Sequence, residues 1–208
     1  MTVTSDRSSA ASTPAAVGVG RVESIHLADA AGAPMRTVDR VRAIAGVGLE
    51  GDRYSAGSGN WSPDPRDDRQ ITLVAAEEID RLANTFDIEL APGQTRRNVT
   101  TRGIDLNALV GRRFRVGGVE CEGTRLCEPC QYLTDMVGQP ILEPLVHRAG
   151  LRARILTDGE IAVGAEVAAL DAEVPALTDP GAAPARCHAP GFRPSISVPS
   201  LFPGLRRG

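Results

Sequence analysis

Arg113-Phe-Arg-Val116, Gly117-Gly118 and Val119-Glu-Cys-Glu122 read together as a β-hairpin, and that reading decides the fold class. The glycine pair supplies the positive φ that a tight turn between strands requires. Toward the C-terminus, Arg152–Leu156, Asp158-Gly159 and Glu160–Val163 repeat the logic and predict a second hairpin. Gly164 then leads into a last expected strand, Glu166–Leu170. Toward the N-terminus, Gln70–Val74 is apolar and β-branched, Thr37–Ile44 sets Val38 and Val41 among arginines, and Arg21–Leu27 alternates. Helices are few. Ala75–Phe86 carries Ile79, Leu82 and Phe86 at helical spacing, with Glu77 and Glu78 in the first turn, where the dipole favours them. A short helix is expected from Asp105 to Val110, ending at Gly111. Another starts near Pro129, presents Leu133, Met136 and Val137 on one face and stops at Gly138. Many short strands, two tight turns and few helices predict a mainly β fold, a β-barrel with helices on its flank.

The chain has 208 residues, enough for one well-buried domain. Residues 1–17 read as a disordered leader, and residues 171–208, rich in Pro, Ala and Gly, as a disordered tail. Phe192 and Phe202 in that tail have no assigned place. The domain is expected over residues 18–170. A net charge of −3 argues against a nucleic-acid binder. No apolar run approaches the roughly 18 residues that span a bilayer, and the N-terminus lacks the apolar core of a secretory signal. Four unevenly spaced cysteines are no disulfide framework, so a reducing, cytoplasmic compartment is expected. Lysine is absent, and all 23 basic residues are arginine. The chain therefore cannot form an internal aldimine with pyridoxal phosphate, and any pyridoxal-dependent step belongs to another protein.

Three segments carry candidate chemistry. In Thr124-Arg-Leu-Cys-Glu-Pro-Cys-Gln-Tyr-Leu133, Cys130 falls in the first turn of an expected helix, where free N–H groups favour a thiolate. Arg125 is a nearby positive charge. A thiolate can carry sulfur or bind a soft metal such as molybdenum. A buried structural cysteine is the plain alternative. Cys127 and Cys130 also form a Cys-x-x-Cys pair, which permits dithiol redox chemistry. A zinc set of Cys121, Cys127, Cys130 and His147 lacks the usual second pair. In Gly46-Val-Gly-Leu-Glu-Gly-Asp-Arg-Tyr54 the glycines allow close backbone approach to a ligand, and Asp52 and Arg53 offer an acceptor and a forked donor. Alone, the segment describes a structural turn more readily than a binding site. In Arg96-Arg-Asn-Val-Thr-Thr-Arg-Gly103, Arg97, Asn98 and Thr101 form a set that can grip a phosphate and a heterocycle, or a solvated edge strand. His26 lies in an expected strand and reads as structural.

These segments, in this order, resemble the MOSC family, named for the C-terminal domain of molybdenum cofactor sulfurases. Gly48-Leu-Glu-Gly-Asp-Arg53 resembles its glycine-aspartate motif, followed by Arg69-Gln-Ile-Thr-Leu73. The run from Arg97 to Gly111 resembles the segment before the family cysteine, and Arg125-Leu-Cys-Glu-Pro-Cys130 places Cys130 at that cysteine. His147-Arg-Ala-Gly-Leu-Arg-Ala-Arg-Ile155 and Gly159-Glu-Ile-Ala-Val-Gly164 complete the pattern over roughly residues 18–170. Ala149 stands where a second glycine is usual and Ala165 where an aspartate often follows. Trp61 and residues 62–69 form an insertion-like loop.

The resemblance implies a β-barrel. It also implies a cysteine that receives sulfur from a partner desulfurase or ligates molybdenum in a pterin cofactor; some members with bound cofactor reduce N-hydroxylated compounds. On this reading Cys130 is persulfide carrier or metal ligand, Cys127 resolves it, and Arg125 tunes it. Arg53, Asp52, Arg97, Asn98 and Thr101 contact the molybdenum cofactor, and a cysteine desulfurase or an electron-transfer protein is the partner. A non-enzymatic small-ligand-binding barrel and a Cys-x-x-Cys thiol-redox protein are the competing readings. Oligomeric state is not legible.

Overall fold

The computed structural model describes residues 17–60, 62 and 68–173. The expected leader apart from Val17, the tail after Glu173, and Trp61 with residues 63–67 lie outside them. In chain order the strands are β1 (Val19–Leu27), β2 (Arg36–Val38), β3 (Arg40–Ile44), β4 (Gly48–Leu49), β5 (Ile71–Ala75), β6 (Val99–Arg102), β7 (Arg112–Val116), β8 (Val119–Leu126), β9 (Leu151–Ile155), β10 (Gly159–Ala162) and β11 (Glu166–Glu173). The helices are α1 (Ala76–Phe86) and α2 (Gln131–Val137).

Seven strands close a barrel in the order β11, β7, β8, β9, β5, β6, β1, with β1 returning to β11. Closure leaves no free edge along the ring. Every pairing is antiparallel except β5 with β6. A parallel pair needs a crossover, and α1 provides it. β1 is long enough to serve two partners on one side: Val19–Arg21 pairs with β11, and Ile25–Leu27 with β2, which hangs outside the ring. A register shift between Val22 and Ser24 marks the bend between the two halves. A second sheet, β10-β3-β4, stacks beside the barrel.

The barrel interior is filled by Ile25, Leu73, Phe114, Val116, Val119, Cys121, Leu151 and Ile161, all fully buried. Each such aliphatic or aromatic side chain contributes about 1.5–3 kcal/mol relative to exposure. A smaller cluster of Leu82, Ile88, Leu133, Ile141 and Leu145 packs α1 against α2 and the segment after it.

The first hairpin is as expected: Val116 pairs with Val119 across Gly117, whose φ is +58°. The second is not a hairpin. β9 already has β8 on one side and β5 on the other, so it has no edge left for β10. β10 pairs with β3 instead, and the Asp158 carboxylate accepts the amide of Ala45 at 2.8 Å, drawing the turn to that sheet. The expected strand Thr37–Ile44 is likewise two, broken at Asp39 because β2 and β3 belong to different sheets. The last strand runs to Glu173, whose backbone pairs with Arg112, so residues 171–173 belong to the barrel and not to the tail.

The expected helix 105–110 is a single 3₁₀ turn, Asn107–Leu109. The Asp105 carboxylate does accept the amides of Asn107 and Ala108, but Val110 bridges to Gly123 and is drawn into extended conformation. On α2, Leu133 and Val137 face the small cluster while Met136 is exposed. Among the described residues no helix is long and apolar enough to cross a membrane.

Candidate functional site

β8 ends at Leu126, and the chain then runs through Cys127-Glu-Pro-Cys130 into α2. Cys130 is the N-cap of α2, with extended backbone, rather than a residue of its first turn as the sequence predicted. Proline at 129 does not start the helix; it precedes the cap. Cys130 is partly exposed and borders a cleft whose enclosed part measures about 70 Å³.

Arginine dominates the cleft wall. Arg53, Arg69, Arg96, Arg97 and Arg152 line it, with Glu128 the one carboxylate among the described residues. Cys127, Tyr54, Tyr132, Asn60 and Thr72 complete most of the surface. Arg53 is held from behind: Nη1 donates to Asp52 Oδ1 at 3.2 Å and to the Met35 sulfur at 3.3 Å. Its guanidinium stacks over the Tyr54 ring at 4.9 Å. Burial, and then the charge of Arg53, push the Arg96 guanidinium below its ordinary pKa. Burial pushes the Tyr54 hydroxyl up, against the pull of Arg53, Arg152 and Arg69. Burial is also the largest effect on Arg152 and opposes its charge, but Cys127, Asp68 and Tyr54 together outweigh it and raise its pKa. Arg152 lies beside Cys127 on the cleft wall, and its buried Nε has no partner. Such concentrated positive charge with an unmet donor calls for an anionic, hydrogen-bond-accepting ligand.

Arg97 spans two loops. Nε donates to Ala149 O at 2.8 Å, Nη1 to Thr95 O at 3.2 Å and Nη2 to Cys127 O at 3.1 Å. Cys127 N donates to Gly150 O at 2.7 Å, so the cysteine segment is docked on residues 149–150. The carbonyl of Ala149 serves as well as a glycine's would.

The structure separates the expected site residues into two groups. Cys130, Cys127, Arg53 and Arg97 border the cleft. Asp52 and Asn98 do not; they lie behind its wall and tie it to the barrel. Asp52 accepts from the amides of Ala28 and Tyr54 and from Asn98 Nδ2. Asn98 also accepts from Thr72 and donates to His26 O. Both are buried because their side chains stand in for missing backbone partners between loops. Thr101 is wholly buried on β6, donates to Val74 O and lies away from the cleft. Arg125 is paired with Asp68 and is not among the cleft-lining residues. His26 is structural, bonded to Ser24 and Thr37, and burial lowers its pKa.

Residues 127–130 form neither turn nor bend. Cys127 and Cys130 are both free thiols on the cleft wall. Among the described residues no cluster of His, Cys, Asp and Glu assembles a metal cage, and Cys121 lies inside the barrel, so the zinc set is not formed. Cys187 lies outside the described residues. Sequence reasoning did not single out Tyr54, Asn60, Arg69, Arg96, Glu128, Tyr132 or Arg152 as site residues. One signal was available: the chain has only two tyrosines, and both flank a motif already in view.

A seven-stranded barrel with a cysteine and an arginine-lined cleft beyond the end of one strand defines the class. The MOSC domain model matches residues 29–168, and the chain belongs to the MOSC domain family. No curated protein matches the sequence. Among solved structures, the YuaD protein of Bacillus subtilis is 20% identical with a TM-score of 0.61, covering 72% of this chain and 94% of that one. YiiM of Geobacillus stearothermophilus is 16% identical with a TM-score of 0.58, covering 76% and 78%. YiiM of Escherichia coli is 19% identical with a TM-score of 0.53, covering 73% and 70%. These likenesses are of fold.

Proposed function

We propose that the cleft binds the molybdenum cofactor, with Cys130 as the protein's sulfur ligand to the metal. The observation that carries this reading is the placement of a partly exposed cysteine and five arginines on one cleft. The donor set fits the group: thiolate is a soft ligand suited to molybdenum, and arginine suits the pterin phosphate. Tyr132 and Asn60, which share the cleft lining, would offer hydrogen-bonding groups to the polar edge of the pterin.

When bound, the cofactor supplies a two-electron redox centre. The chain's own residues bind and orient it. Arg69 and Arg152 both line the cleft, and Arg152 Nε has no partner. Arg53, fixed by Asp52 and stacked on Tyr54, presents its charge without reorganising. Arg97 holds the cysteine segment rather than the ligand. The activity that follows is reduction of N-hydroxylated compounds with an electron-transfer partner. In the sulfur-carrier version of the same site, a partner desulfurase delivers sulfur to Cys130, since a chain without lysine cannot host the pyridoxal step itself.

Elemental analysis of the protein made in a cofactor-producing host tests this. Near-stoichiometric molybdenum in the wild type and its loss in Cys130→Ser is the expected result. No molybdenum in either, together with a cyanide-labile sulfur on Cys130, moves the assignment to sulfur carriage. Neither metal nor labile sulfur leaves a ligand-binding barrel without this chemistry.

A further inference from the structure

Glu128, between the two cysteines, makes a two-point contact with a residue remote in sequence. Oε2 accepts the backbone amide of His147 at 2.8 Å, and Oε1 meets the His147 ring Nδ1 at 2.7 Å. A carboxylate only accepts, so Nδ1 carries the proton of that bond. His147 is one of three non-glycine residues with positive φ among those described, at +59°. Its carbonyl accepts from Asn107 Nδ2 at 2.9 Å, so it is held on both sides of that conformation. The segment leading to Cys130 is thus tied at its start by Gly150 and Arg97 and in its middle by His147.

We propose that the Glu128–His147 pair is a latch, His147 acting as a positioning residue that fixes the Cys130-bearing segment against the cleft. This deepens the reading of Cys130 as a ligand and rests on it for its functional consequence. The pair is solvent-exposed, with side-chain exposures of 74% for His147 and 42% for Glu128. Exposed pairs contribute little to global stability, so the latch acts locally. Positive φ is the second part of the device. It lets one carboxylate reach both the amide and the ring of a single residue, and histidine tolerates that region better than most side chains.

The test uses the full chain and four variants. His147→Gly keeps the backbone conformation and the amide donor but removes the ring. Glu128→Ala removes both contacts. The third variant combines them. Amide exchange at Cys127, Leu133 and Thr134, whose N–H groups are bonded to Gly150 O and Cys130 O, and the iodoacetamide alkylation rate at Cys130, read by peptide mass spectrometry, report on the segment without metal. Molybdenum content reports on the ligand. Exchange about tenfold faster in each single variant, with a thermal midpoint near that of the wild type, is the expected outcome. The double variant is expected to be no worse than Glu128→Ala, because a pair is lost once. His147→Asn, which keeps positive φ and a side-chain N–H donor, is expected to recover protection. Additive effects in the double variant, or unchanged exchange and alkylation in the singles, overturn the latch. If wild type holds no molybdenum while the variants loosen the segment as described, the latch stands and the cofactor reading fails.

Discussion

Cys121 and Cys130 belong to one stretch of chain and meet opposite environments. Cys121 sits inside the barrel, fully buried among Phe114 and Ile155, and burial pushes its thiol up to about 12. Cys130 lies past the end of β8, partly exposed, on a wall of arginines. A closed barrel of seven strands has an interior that alternation fills with apolar groups, and no ligand enters it. Polar chemistry therefore gathers where the strands stop and loops meet. The barrel resists change in volume. The cleft is sensitive to the hydrogen bonds that hold its loops.

Gly150 belongs to both regions and predicts the largest effect. A Cβ there would lie 1.9 Å from Leu73 O, at φ +114°. Gly150→Ala is expected to cost roughly 4–5 kcal/mol or to prevent folding, measured by urea denaturation. Tolerance of this change would mean that barrel and cleft are not joined as described. Phe114→Ala is expected to cost about 3–5 kcal/mol through the cavity it leaves, while molybdenum content per folded molecule stays at the wild-type level. Loss of metal alongside stability would erase the distinction between the regions. Arg97→Met strands the carbonyls of Ala149, Thr95 and Cys127 and is expected to cost about 1–3 kcal/mol. Here the ligand should be lost more readily than the fold, seen as metal released on gel filtration.

The smallest effect is one of pH. An unfolded chain ionises Cys121 near its ordinary value of 9.0, whereas the folded barrel keeps it neutral to about 12. Its contribution to stability is complete well below pH 9 and is lost as the pH rises through 9 toward 12. Cys121→Val is expected to flatten that part of the stability profile, and an unchanged slope would show that the thiol is not shielded.

The first hairpin was legible because its turn and both its strands are local. The supposed second hairpin was not, because the sequence cannot show that β5 and β8 already occupy both edges of β9. In the site, Cys130, Arg53 and Arg97 were legible from residue chemistry and order. Asp52 and Asn98 stood beside them in the same motifs, but whether a polar side chain faces a ligand or ties a loop depends on what packs behind it. Arg152 was hidden within a strand pattern, since nothing local marks an arginine whose neighbour in space is Cys127.

By itself the sequence determined the mainly β character, the family and, through the absence of lysine, a chemistry the chain cannot perform. These follow from local turn geometry, alternation and residue type. Tertiary structure alone decided which strands share a sheet, which motif residues reach the cleft and how residues 147–150 hold the cysteine segment. Those depend on contacts between residues far apart in the chain, which closure of the barrel brings together.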